Sequence, residues 1–116
     1  MSKRSAQPIT IPALTEAEFL QQIIQVARLA GWFTYHVFDS RQCEAGFPDL
    51  ILTHPTVFTH PRSGKANVLA IEVKTEKGQV RAEQYLWLKA LEMNGVETHV
   101  WRPGDVDEII ERLQVA

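Results

Sequence analysis

The chain has 116 residues, 45% of them apolar and 22% charged, with a net charge of −2 and a single cysteine, Cys43. A chain of this length forms one core and buries roughly two thirds of its unfolded surface, so neither disulfides nor a second domain is needed for stability. The composition excludes an intrachain disulfide, a paired Cys-His zinc site and a membrane span; no secretory leader is legible, and the expected compartment is the cytoplasm.

Residues 1–13 mix Ser, Gln, Pro and two cations without any period and read as a flexible arm, leaving 14–116 as the folded domain. Phe19, Leu20, Ile23, Ile24, Ala27 and Ala30 then recur at helical spacing and stop at Gly31. Thr15 and Glu18 have the spacing of a capping box, with Leu14 and Phe19 placed as its hydrophobic staple. Residues 32–38 are aromatic and β-branched, which predicts a strand, and a second strand opens at Pro48. Two prolines and a glycine between His54 and Asn67 predict a hairpin with an extended, ragged tip. Residues 68–75 form the clearest strand, with Leu69, Ile71 and Val73 on one face and Ala70, Glu72 and Lys74 on the other. A second helix carries Trp87, Leu88 and Leu91 and ends at Gly95. A fourth strand follows, and Asp105 with Glu108 predicts a capping box opening a third helix. The order is αβββαβα. A three-stranded meander followed by a helical crossover implies an α/β fold, a mixed four-stranded sheet in one layer flanked by helices.

Asp49 stands at the mouth of the second strand, and Glu72 and Lys74 share one face of the third, so pairing those strands gathers two carboxylates and an amine. Carboxylate oxygens are hard ligands suited to Mg²⁺ or Mn²⁺, and a neighbouring lysine can orient water or neutralise charge developing on phosphorus. Taken alone, Glu-x-Lys is also what the solvated face of any half-buried strand looks like.

The strings AGFPDLIL, IEVKTEKG and EQYLWLKALEMNGVETHVWRP together resemble the VRR-NUC domain, a branch of the PD-(D/E)xK nuclease superfamily, over about residues 15–115. The resemblance implies a restriction-endonuclease-like core and a divalent ion held by Asp49, Glu72 and the backbone carbonyl of Val73. It associates Lys74 with the attacking water and Gln84 with support of the water or the lysine. Family members also carry a glutamate on the first helix. Of the two available here, Glu18 is accounted for by the capping box, whereas Glu16 shares a helical face with Phe19, Leu20 and Ile23 and is the expected catalytic acid and additional metal ligand. Both acids also complement the positive end of the helix. The activity implied is metal-dependent DNA endonuclease cleavage of branched or junction DNA by a homodimer. The alternative is a non-catalytic nucleic-acid-binding or assembly module of the same fold.

The chain departs from the family pattern at Arg81, where a serine or threonine usually opens the second helix; arginine is a poor cap, and a fraying helix start or a phosphate contact is expected there. Net acidity is offset by loop cations expected to flank the site: Arg41, Arg62, Lys65, Lys77 and Arg81, of which Arg41, Lys77 and Arg81 are the expected nucleic-acid contacts. His36 and Arg41 are expected to line the cleft, and His54 and His60, each in a His-Pro pair, read as exposed loop residues. Trp32, Trp87 and Trp101 are expected in the core or, where exposed, at the centre of a subunit interface.

Overall fold

The computed structural model of the chain describes residues 13–37 and 44–116. The expected arm, apart from Ala13, and the loop residues Asp39, Arg41 and Cys43 lie outside the described residues. The elements are α1 (Glu16–Leu29), β1 (Phe33–His36), β2 (Leu50–Thr53), β3 (Val68–Val73), α2 (Ala82–Met93), β4 (Glu97–Trp101) and α3 (Val106–Leu113), the last led in by a 3-10 turn at Pro103–Asp105.

The expected capping box opens α1: the Glu18 N–H donates to Thr15 Oγ1 at 3.1 Å and the Thr15 N–H to Glu18 Oε1 at 2.9 Å. Both bonds satisfy helix-end donors that would otherwise be orphaned. At α3 the expected box does not form. Asp105 has φ −92° and ψ 12°, outside the extended conformation an N-cap adopts. Its carboxylate turns back instead to accept the Arg102 N–H at 2.9 Å, closing the 3-10 turn.

The sheet order is β1-β2-β3-β4, antiparallel for the first two pairs and parallel between β3 and β4. Phe19, Ile23, Ile24 and Ala27 of α1 and Ile109 and Leu113 of α3 pack with Leu50, Leu52, Leu69, Ile71, Val73 and Trp101 in one continuous core. Trp32 closes this core, its indole N–H donating to the Leu113 carbonyl at 2.8 Å. α2 lies against β3 and β4. Every residue of β3 from Leu69 to Val73 is buried, so both faces are covered and Glu72 does not sit on a solvated face.

Arg112 ties α3 to the sheet. Its guanidinium forks onto Glu97 (Nε to Oε2 2.9 Å, Nη2 to Oε1 3.0 Å), reaches Asn67 Oδ1 at 3.0 Å, and lies 5.6 Å from the Trp32 ring centroid. Burial pushes the Glu97 carboxyl up, but the Arg112 fork and His99 outweigh it and hold the group below its usual range.

The β2–β3 connection is not ragged. Asn67 N–H donates to Phe58 O at 2.8 Å and His60 N–H to Lys65 O at 2.8 Å, and Thr59 bridges Ala66. Its two histidines are not exposed; each is more than nine-tenths buried. His54 Nδ1 accepts from Val57 N–H at 3.0 Å and His60 Nδ1 from Ser63 N–H at 3.1 Å, so each His-Pro pair starts a turn capped by its own imidazole. His54 Nε2 then reaches Ala30 O at 3.0 Å, which fixes Nε2 as the protonated nitrogen and ties the hairpin to the end of α1. Sequence alone shows only polar residues beside prolines, and this imidazole capping has no spacing signature.

Gly46 is required by two independent constraints. Its φ is +86°, and a Cβ built there would lie 2.5 Å from the Glu83 backbone carbon and 2.6 Å from its carbonyl oxygen. The Gly-Phe-Pro-Asp turn therefore presses backbone to backbone against the first turn of α2, with Pro48 fully buried and Phe47 edge-on to Trp87 at 5.1 Å. Gly95 has a similar φ of +93° but nothing within 4 Å. Gly46→Ala is expected to lower unfolding free energy by more than ~1 kcal/mol and by clearly more than Gly95→Ala, because only the first adds a backbone clash to the conformational strain. Urea denaturation of the two variants beside the parent checks this ordering.

Candidate active site

Strand register assembles the site at one end of the sheet. Leu50 pairs Ile71, which puts Asp49 opposite Glu72; His36 pairs Leu50, which brings the end of β1 beside Asp49. On the far side Trp101 pairs Val73, and the Lys74 N–H donates to the Trp101 carbonyl at 3.0 Å. Asp49 is fixed by the backbone it faces, its Oδ2 accepting the Val73 N–H at 2.8 Å.

Glu72 is 2% exposed, and of its two oxygens Oε2 accepts from Gln84 Nε2 at 2.8 Å while Oε1 is buried with no hydrogen-bond partner among the described residues. Burial is the main influence on its carboxyl, followed by the charge and side-chain contact of Asp49. Lys74 opposes them, Glu16 adds to them, and the group is pushed up to about 8. Lys74 is 8% exposed; its stem is packed away, and its ammonium meets no hydrogen-bonding or ion-pair partner among the described residues.

Gln84 belongs to two structures at once. Its Oε1 accepts the Arg81 N–H at 2.9 Å, the half of a capping box that a residue in the helix's third position can supply, while its Nε2 holds Glu72. The donor at Arg81 dictates which way the amide faces, so the NH₂ group must face the carboxylate. The absence of a serine or threonine cap is thus offset by the site residue, and the Arg81 side chain caps nothing and is exposed. Gln84 bonds to Glu72 rather than to Lys74.

Glu16, at the start of α1, is exposed, yet its charge reaches Glu72, whereas Glu18 is engaged with Thr15, whose bonds hold its carboxyl below the usual range. Among the described residues no three His, Cys, Asp or Glu side chains converge as a metal-binding group, so Glu16 does not close a three-carboxylate cage with Asp49 and Glu72. Lys77 and Arg81 are exposed on segments that follow Lys74. Arg62 and Lys65 do not flank the site. They lie beyond the Thr53–Val68 pair at the other end of the sheet, at least ~13 Å along the strand from Glu72, and Arg62 is turned to the Glu111 carbonyl at 3.3 Å. The tryptophans are not an exposed set either: Trp32 and Trp101 are core residues, and Trp87 is half-buried against Phe47.

Sequence reasoning missed Arg102. Its Nη1 donates to the carbonyls of Thr75 at 2.6 Å, Gly78 at 2.8 Å and Glu76 at 3.3 Å, the turn that directly follows Lys74. A cation just past a strand carries no local signal of such a partner.

A carboxylate pair opposed on adjacent antiparallel strands, with a lysine two residues beyond the second acid, is the arrangement expected of a PD-(D/E)xK nuclease. The VRR-NUC domain model matches residues 3–103, and the chain belongs to that nuclease family. A solved VRR_NUC domain protein, 21% identical, superposes with a TM-score of 0.62 over 86% of this chain and 85% of its own. A second VRR_NUC domain, 20% identical, gives 0.61 over 84% and 97%. At such identities these likenesses speak for the fold. Archaeoglobus fulgidus Hjc, a Holliday junction resolvase from an archaeal hyperthermophile, is 22% identical over 76% of this chain and 65% of its own, with a TM-score of 0.44 too low to bear on function. No curated protein matches the chain. Among the described residues no helix is long and apolar enough to cross a membrane.

The raised Glu72 carboxyl fixes a pH dependence for the metal-free protein. Between the ordinary value of 4.5 and the folded value of about 8, the folded chain holds a proton that the unfolded chain has released. Stability therefore falls as pH rises through that window and levels off above it. In chelator, the melting temperature is expected to drop across this range, and Glu72→Gln, which cannot ionise, should flatten the slope.

Proposed function

We propose that the chain is a divalent-metal-dependent DNA endonuclease that hydrolyses phosphodiester bonds, with Asp49, Glu72 and the Val73 carbonyl as metal ligands, Mg²⁺ or Mn²⁺ as the ion, and branched or junction DNA as the preferred substrate. The observation that carries the reading is the Glu72 carboxyl: buried, opposed to the Asp49 carboxyl, and with one oxygen, Oε1, that accepts no hydrogen bond among the described residues. Once ionised, such a group opposes folding unless something outside the chain completes it. The available donors are hard oxygens, which suits Mg²⁺ or Mn²⁺ and not a soft ion. When bound, the ion supplies Lewis acidity toward the phosphate and lowers the pKa of water.

The rest of the chemistry falls to the chain's own groups. Gln84 holds Glu72 through Nε2 and so fixes the direction in which Oε1 is presented. Asp49 is held by the Val73 N–H, which leaves its other oxygen for the ligand. Lys74, with a packed stem and an ammonium that meets no acceptor among the described residues, orients the attacking water and neutralises charge that grows on the phosphoryl oxygens in an in-line displacement. Glu16 adds negative charge beside the pair, and Lys77 and Arg81 contact flanking phosphates. Arg41 is proposed as a further phosphate contact on the strength of its position in the sequence before the Gly-Phe-Pro-Asp turn.

One such site cuts one strand, so two subunits are needed to cut two, and we propose a homodimer. With Trp32 and Trp101 in the core, its apolar centre is not built from them.

The direct test incubates purified protein with labelled single-stranded, duplex, flap and four-way DNA, in Mg²⁺ or Mn²⁺ against chelator. Metal-dependent cleavage with preference for branched forms is expected; DNA binding without cleavage in either metal would replace the reading with a binding module. Asp49→Ala and Glu72→Ala should each abolish cleavage with the circular dichroism spectrum kept. Lys74→Ala should lower the single-turnover rate roughly a hundredfold or more while changing DNA affinity far less, because its interaction grows in the transition state. The two helix acids should separate: Glu16→Ala slows cleavage at unchanged melting temperature, and Glu18→Ala lowers the melting temperature with cleavage kept.

A further inference from the structure

The segment after β3 has no secondary structure of its own, yet Lys74 must be held to within a fraction of an ångström if it is to orient a water. Two backbone features cannot do this by themselves. The Lys74 N–H is anchored to Trp101 O at 3.0 Å, which fixes one side of the residue, and the Gly78 N–H closes a turn onto Thr75 O at 3.2 Å. The carbonyls of Thr75, Glu76 and Gly78 point together, an arrangement that repels itself unless a cation gathers them. Arg102, the residue after Trp101 on the neighbouring strand, supplies that cation through its contacts to Thr75, Glu76 and Gly78. The turn answers in kind, because the Glu76 carboxylate accepts the Gly104 N–H. Gly78 completes the fit: a Cβ there would lie 3.1 Å from Thr75 Oγ1 and 3.4 Å from Lys74 Cδ, so the turn packs directly on the lysine stem.

We propose that Arg102 is a positioning residue for Lys74. Its guanidinium clamps the Thr75–Gly78 turn to the end of β4, and the turn, through Gly78, sets the course of the Lys74 side chain toward the phosphate. The inference rests on the role given to Lys74 above. No carboxylate pairs with Arg102 within 4.0 Å among the described residues, and its Nη1 is given over to carbonyl oxygens. The bonds are charge-assisted, and a lysine would bring the charge without the planar, fixed donor geometry of the guanidinium.

The test is a double-mutant cycle on single-turnover cleavage of the preferred DNA, with enzyme in excess, beside equilibrium DNA binding. Arg102→Gln is expected to slow cleavage about tenfold or more with DNA affinity within threefold of the parent, and Arg102→Lys to recover part of the rate. In the Lys74→Ala background the same Arg102→Gln change should cost little further, since the group it positions is gone. An Arg102→Gln factor that multiplies undiminished onto Lys74→Ala, or a normal rate for Arg102→Gln, would overturn the positioning role while leaving Lys74 in the chemistry. A Lys74→Ala protein that cuts at the parent rate would instead sink the reading of Lys74 itself. Should Arg102→Gln not fold, Gly78→Ala enters the same cycle, because it crowds the lysine stem with the clamp intact. Slowing that vanishes without Lys74 upholds the inference, and an unchanged rate overturns it.

Discussion

Two carboxylates are forced to face each other because β2 and β3 pair with Leu50 opposite Ile71. The apolar side chains set that register: a slip of one residue would turn either Leu50 and Leu52 or Leu69, Ile71 and Val73 out of the core they share with α1 and α3. Burial of those five side chains outweighs the repulsion of Asp49 and Glu72, which the same register makes unavoidable. The site is thus a local cost carried by the sheet, and its neighbours can be understood by how they limit that cost. The Val73 N–H holds Asp49, the Gln84 amide holds one oxygen of Glu72, and Lys74 adds a positive charge from the same strand.

The loops that enter the site are held at their main chain. Gly46 lets one loop touch the Glu83 main chain, and Arg102 collects the carbonyls of another. Both devices place rigid peptide groups, not rotatable side chains, next to the residues that must stay in register. The far end of the sheet is built differently, with two imidazoles capping their own turns and Arg112 cross-linking Glu97, Asn67 and Trp32. Its cations are spent on structure, which is why Arg62 and Arg112 are not available to a phosphate near Glu72.

Most of the architecture was legible in the sequence because it rests on period and punctuation. The αβββαβα order, the capping box at Thr15 and the alternation of β3 all follow local rules that the structure obeys. The shared location of Asp49, Glu72 and Lys74 was legible as well, since strand pairing alone fixes it. Long-range polar partners were not. Arg102 meets the 75–78 turn and His54 meets Ala30 across stretches of chain that leave no periodic trace, and Asp105 lost its expected capping role to a 3-10 turn that Pro103 and Gly104 begin. Two of the cations assigned to the rim failed for the same reason: a basic residue in a loop says nothing about which end of a sheet the loop occupies, and Arg62 and Lys65 occupy the wrong one.

The amide of Gln84 joins the first turn of α2 to the floor of the site, and this makes two events into one. Fraying of that turn withdraws the partner of Glu72 Oε2 at the moment it frees the Arg81 N–H. The exchange rate of a single backbone proton, that of Arg81, therefore measures how often the buried carboxylate loses its support, and whatever ligand steadies Glu72 must slow that exchange without touching Arg81. A helix end that looks poorly capped is in this chain the gauge of how well the site is held together.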